Sequence, residues 1–268
     1  MWWFVVLVII LMLVVLLAMV IGPFLLLKPL PERVELNGVS VVKDGFVCAG
    51  LVPFGEHEAA LVDTGKDPQA KSILAELSRR GLVPDDVKVI LLTHAHGDHT
   101  AGIVHFPKAQ LMALADEVDV VEGRSGGGGP IARLVPPKPT GLRLSRTLCD
   151  GEELHLGSVR VRVFAVPGHT PGSAAYAIGD CLFLGDSANQ DKQGRLKPAP
   201  WLATGSTAQN RKSLVELSRR LAGDTSIETL VFSHSAPLEL GMAPLAKFAG
   251  RSEKSPSKDS PRSDLPQR

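Results

Sequence analysis

Four side chains able to hold a cation crowd into residues 94–99: His94, His96, Asp98 and His99, within Thr93-His94-Ala95-His96-Gly97-Asp98-His99-Thr100. They follow directly on the apolar run Val87-Lys88-Val89-Ile90-Leu91-Leu92, which reads as a buried strand. Imidazole and carboxylate suit zinc and other divalent transition metals, and His-x-His on extended backbone turns both rings to one face. Asp98 and His99 then come from the loop as it turns. Three more candidates stand where other apolar runs end: His169 in Val166-Pro167-Gly168-His169-Thr170-Pro171, Asp186 after Leu182-Phe183-Leu184-Gly185, and His234 after Leu230-Val231-Phe232-Ser233. Singly, each reads as a turn or capping residue. Together with the first cluster they make seven donors at strand ends. His57, His105 and His155 fit no ligand position, and no Gly-x-Ser-x-Gly elbow supports a serine nucleophile.

The elements that must position these donors come in two successive halves, strands first and helix later. Short apolar runs between about Val34 and Leu61 suggest a meander. Ile73, Leu74 and Leu77 then fall at helical spacing and Gly81 closes the helix, which feeds the strand at 87–92. A strand at 111–114 and a Gly/Pro-rich connection at 122–142 follow. Alternating segments at 153–155, 159–166, 174–178 and 181–185 predict neighbouring strands, 207–221 a helix, and 230–232 one more strand. The pattern predicts layered α/β packing with helices outside paired sheets.

Lys and Arg number 29 against 28 Asp and Glu, for a net charge of +1, so no field exists to gather nucleic acid, and none is expected as a partner. From Met1 to Leu27 no charged residue occurs, which predicts a single membrane-spanning anchor over residues 1–27; the Lys/Arg flank at Lys28 and Arg33 places the following domain in the cytoplasm. Cys48, Cys149 and Cys181 are too few and too scattered for a disulfide framework and read as small core residues. A catalytic domain is expected over 28–250. Residues 251–268, rich in serine, proline and charge, predict a disordered tail.

At the donor residues the chain resembles the metallo-β-lactamase-fold hydrolases: the His-x-His-x-Asp-His motif runs intact from His94 to His99, and His169, Asp186 and His234 follow in family order. The resemblance covers about residues 34–240. It implies a four-layer αβ/βα sandwich, α/β in class, behind the transmembrane helix, with metals at the edge of the sheets. Motif by motif, it implies that His94, His96 and His169 hold one divalent ion, that Asp98, His99 and His234 hold a second, and that Asp186 bridges them. Asp63, in Val62-Asp63-Thr64-Gly65, matches the family's supporting aspartate, which orients a ligand imidazole without binding metal. The implied cofactor is two divalent ions, zinc foremost, with iron or manganese also suited. The implied activity is hydrolysis by a hydroxide bridging the two ions, with Asp98 orienting it.

A bridging Asp186 beside Asp98-His99 resembles the glyoxalase II, lactonase and esterase branches more than true β-lactamases, which typically lack that carboxylate. The substrate so implied is a small-molecule ester, thioester or lactone. The alternative is a mononuclear iron sulfur dioxygenase-like oxidoreductase using the first three-ligand site. The chain departs from glyoxalase II in having only about 16 residues (235–250) between His234 and the tail, where those relatives append a helical domain. It departs from the lactonases in reading Asp186-Ser187-Ala188-Asn189, without their tyrosine. Selectivity is expected from loops 122–142 and 188–206, where Trp201 stands among Pro198, Pro200 and Leu202.

Overall fold

Val89 and Leu91 face one apolar layer while Ile90 and Leu92 face another, so this segment is a strand buried on both sides, as its unbroken hydrophobicity requires. The computed structural model describes residues 2–254, without the side chains of residues 16, 18–21, 23, 131, 253 and 254. Helix α1 (Trp2–Leu25) precedes a meander of β1 (Arg33–Leu36), β2 (Val39–Asp44), β3 (Val47–Gly55) and β4 (Glu58–Val62). Helix α2 (Lys71–Arg79) leads to β5 (Val87–Leu91), then α3 (Gly97–Thr100), β6 (Gln110–Leu114), α4 (Val118–Val121), α5 (Gly129–Leu134) and β7 (Arg146–Leu148). The second half holds β8 (Glu153–Leu156), β9 (Val159–Ala165), β10 (Ala174–Ile178), β11 (Cys181–Phe183), β12 (Ala188–Gln190), β13 (Leu196–Pro198), α6 (Thr207–Arg220), β14 (Thr229–Val231) and α7 (Ala243–Lys254).

The first sheet runs β1 to β7 in chain order, antiparallel as far as β4 and parallel from there. The second has the order β14-β11-β10-β9-β8, with β14 and β11 parallel and the rest antiparallel. Three apolar slabs separate four layers. Val62, Leu91, Tyr176 and Phe183 belong to the slab between the sheets. Ile73 and Leu77 of α2 cover the far face of the first sheet, and Leu214 and Leu217 of α6 with Leu245 of α7 cover that of the second. The α/β sandwich expected of the sequence is thus observed, and the alternation along each buried strand produces it.

The N-terminal expectation is corrected. Among the described residues no helix is long and apolar enough to cross a membrane, so neither a single-pass anchor over 1–27 nor a membrane location or membrane partner is supported. The tail boundary shifts as well, because α7 continues to Lys254. The rest of the expected tail, 255–268, lies outside the described residues. Cys48 and Cys181 are buried, whereas Cys149 is exposed.

The two sheets are stitched at one edge. Ala174 N donates to Thr93 O at 2.8 Å, Cys48 N to Ser233 O at 2.9 Å, and the hydroxyl of fully buried Tyr176 to Leu92 O at 2.8 Å. Tyr176→Phe leaves the Leu92 carbonyl without this donor, and a loss of about 1–3 kcal/mol is expected. It would be read as a lower denaturant midpoint with an unchanged slope.

Candidate metal centre

Each donor sits just past a strand end at that stitched edge. His94 follows β5, His169 follows β9, Asp186 follows β11 and His234 follows β14, while Asp63 follows β4. Tight backbone makes this possible. Gly185 has φ +54°, and a Cβ there would lie 2.6 Å from Thr93 Oγ1, so only glycine lets β11 deliver Asp186 so close to the His94 strand. Asp63 itself adopts φ +60°.

The structure brings all seven candidates together. His94 Nε2 lies 3.1 Å from His96 Nδ1 and 3.2 Å from His169 Nε2, and His96 Nδ1 lies 3.0 Å from His169 Nε2. A tetrahedral ion with ligands at about 2.0 Å asks for donor separations of about 3.3 Å. Asp186 lies between this triad and the other donors. Its Oδ2 is 3.0 Å from His234 Nε2 and 3.5 Å from His169 Nε2, and its Oδ1 is 3.3 Å from His99 Nε2. Asp98 Oδ2 completes a second group, 3.7 Å from His234 Nε2 and 3.9 Å from His99 Nε2.

Hydrogen bonding on the outer side of the rings fixes which nitrogen faces inward. The Thr93 hydroxyl donates its one proton to Asp63 Oδ2 at 2.7 Å, so toward His94 Nδ1, 3.2 Å away, it can only accept. His94 therefore carries its proton on Nδ1 and turns a bare Nε2 to the cluster. The Thr204 hydroxyl donates to Pro200 O at 2.6 Å and accepts from His169 Nδ1 at 3.2 Å, with the same consequence. His99 Nδ1 donates to Asp63 Oδ2 at 2.8 Å, and His234 Nδ1 to Phe46 O at 2.9 Å. Asp63 thus accepts from the ring of His99 and also receives Thr93 N at 2.8 Å.

Burial, reinforced by the neighbouring imidazoles, pushes His94 well below the ordinary histidine range and His169 down to about 3. Burial lowers His96 too. For His99 burial works against the charge, but the carboxylates of Asp186 and Asp63 outweigh it and hold the ring well above its usual value. The buried atoms His99 Nε2 and Asp186 Oδ1 have no hydrogen-bond partner, although they face each other. Converging bare nitrogens and orphaned buried donors are what a cation cluster needs, so these side chains fit a pair of divalent ions.

Sequence reasoning missed Glu117. Fully buried, its Oε1 accepts from Ala95 N at 2.8 Å and its Oε2 from Thr170 Oγ1 at 2.8 Å and Gly172 N at 2.9 Å. It thereby ties the backbone between His94 and His96 to the loop that carries His169. An acidic residue just past β6 reads from sequence as a helix-start acid, and only the tertiary fold shows what it grips. The expected selectivity loops do reach the site. Gly127 approaches His96 Nε2, and Gly127, Gly128, Gly205 and Ser206 help line a cavity of about 690 Å³ shared with Gly168 and Thr170. Trp201 is 53% exposed.

With fold and geometry in view, comparison with known proteins places the chain. Residues 43–234 match the family model of the metallo-beta-lactamase superfamily, and the chain belongs to that superfamily. A hydroxyacylglutathione hydrolase of Cupriavidus taiwanensis is 31% identical over 213 residues, 76% of this chain and 65% of that protein. One from Edwardsiella ictaluri is 28% identical over 163 residues, 61% of this chain and 55% of that protein. The chain spans about half to two thirds of the length of such curated relatives. Among solved structures, a B3 metallo-beta-lactamase with an active-site glutamic acid superposes with a TM-score of 0.63 at 24% identity, covering 85% of this chain and 90% of that one. A metallo-beta-lactamase family protein from Thermus thermophilus gives 0.59 at 24%, covering 82% and 80%. At these identities the likeness is one of fold.

Glu117→Ala takes the acceptor from Ala95 N and Gly172 N, while the Thr170 hydroxyl keeps Ser173 Oγ at 2.8 Å, and at about 1–3 kcal/mol for each unsatisfied group a loss of a few kcal/mol is expected. Denaturant unfolding in the presence of chelator reads it without any contribution from bound metal.

Proposed function

We propose that the chain is a metal-dependent hydrolase that cleaves an ester, thioester or lactone of a small molecule. The observation that carries this reading is the inward convergence of ring nitrogens from His94, His96 and His169 at 3.0–3.2 Å, with Asp186 between them and the Asp98, His99 and His234 group. His94, His96 and His169 would hold one ion, Asp98, His99 and His234 the other, and Asp186 would be shared. When bound, such a pair supplies a water that deprotonates near neutral pH and a Lewis acid for the scissile carbonyl. The relatives named hydroxyacylglutathione hydrolase support a thioester in particular, since an acylglutathione is one.

The chain's own residues have separate tasks. Asp98 is the more open of the two site carboxylates, its side chain 25% exposed against 9% for Asp186, so it can accept a hydrogen bond from the attacking water and hold it toward the substrate. Asp63, Thr93 and Thr204 keep the rings from turning. Water adds to the acyl carbon, the carbon–sulfur or carbon–oxygen bond breaks, and the thiol or alcohol leaves with a proton.

Elemental analysis of the purified full chain, paired with a screen of thioesters, esters and lactones, tests this reading. About two divalent ions per chain are expected, with metal and turnover both lost in His96→Ala. Asp98→Ala should lower turnover by at least about 100-fold. A single iron per chain with oxygen uptake, or turnover indifferent to His96→Ala, would overturn the proposal.

A further inference from the structure

Beside the donor cluster lies a second cavity, of about 740 Å³, whose lining is almost wholly apolar. One wall is the end of α1 and the residues after it, Phe24, Leu25 and Leu27; the other is the β12–β13 hairpin, with Asn189, Pro198 and Pro200. Both walls are tied to the site. The Phe24 and His234 rings meet perpendicularly, with centroids 5.7 Å apart and planes at 85°, while Phe46 stacks on that imidazole at 5.8 Å. Asn189 stands three residues beyond Asp186 on the strand that leaves it.

The walls are also fixed to each other. Lys28 N donates to Gln190 O and Lys192 N to Leu26 O, both at 3.1 Å, and Ala236 N, two residues past His234, donates to Lys28 O at 3.1 Å. The cavity is therefore a built groove between apolar walls, one of whose lining residues, Phe24, packs against the ring of the candidate metal ligand His234. Lys197 and Asp191, which line it, pair with each other at 3.5 Å. Asp191 also takes Arg195 at 2.7 Å.

We infer that this groove binds the aliphatic acyl chain of the substrate, so that the reaction acts on thioesters or esters of medium-to-long saturated acids. The inference rests on the hydrolase reading above for its choice of scissile group. An acyl chain suits the groove because it needs no polar partner, and besides Asn189 and the paired Lys197 and Asp191 the lining is apolar. Each methylene withdrawn from water favours binding, and the carbonyl end would sit at the Phe24 end of the groove, where Phe24 meets the His234 ring.

The test uses the zinc-loaded full chain, without alkyl detergent that would compete, and S-acyl-N-acetylcysteamine thioesters from two to ten acyl carbons. Expected is a rise in kcat/KM of about two- to fourfold per added methylene, the upper figure corresponding to full burial at ~0.8 kcal/mol per CH2. Leu25→Asp and Pro200→Asp, on opposite walls, should each flatten that slope. Calorimetric titration with uncleavable S-alkyl thioether analogues reads the groove without catalysis, and affinity should climb with chain length, accompanied by a negative heat-capacity change. Cleavage with no dependence on chain length, together with chain-independent thioether binding, would overturn the groove and leave the hydrolase reading standing. Chain-dependent thioether binding without cleavage of any thioester would support the groove and sink the hydrolase reading.

Discussion

The unprotonated ring nitrogens of His94 and His169, held lone pair to lone pair at 3.2 Å in a buried cleft, repel one another. The fold must impose this arrangement from outside. It does so through the outward nitrogens of His94 and His169, each spent on a hydroxyl whose own proton is already committed: Thr93 to Asp63 and Thr204 to Pro200. The rings are not free to flip, so the repulsion persists as a demand for positive charge between them.

Two buried carboxylates extend this control into the backbone. Asp63 ties the strand end before His94 to the ring of His99, and Glu117 ties the His-x-His segment to the His169 loop. Burial pushes Glu117 above the usual carboxylate range, which marks the cost of its position. Three donors offset that cost. A carboxylate suits the task because its two oxygens accept in several directions at once.

Much of this was legible in the sequence. The strands at 87–91, 159–165 and 174–178 and the helix at 207–220 fall close to where hydrophobic periodicity puts them, because each buries a regular face. The donors were legible because they end such runs, and so was Asp63 through its turn. Glu117, Thr204 and the carbonyl of Phe46 were not, since each acts across a long stretch of chain and carries no local signature. The helix over 243–254 was missed because Gly250 and the polar residues after it read as a tail. The N-terminal run misled in another way: apolar composition alone cannot distinguish a helix that crosses a bilayer from one whose end also walls a groove, as Phe24 and Leu25 do here.

The seven donors are divided between the halves of the chain, four from the segment after β5 and three from the strands of the other sheet, joined by bonds such as Ala174 N to Thr93 O. Neither half alone holds a complete chelate. A cation caged there would serve as a rivet between the two halves, adding to the native state a stabilisation set by its free concentration. Partial opening along the seam would release it while each half kept its own helices, so that metal scarcity and mechanical looseness become one variable for this molecule.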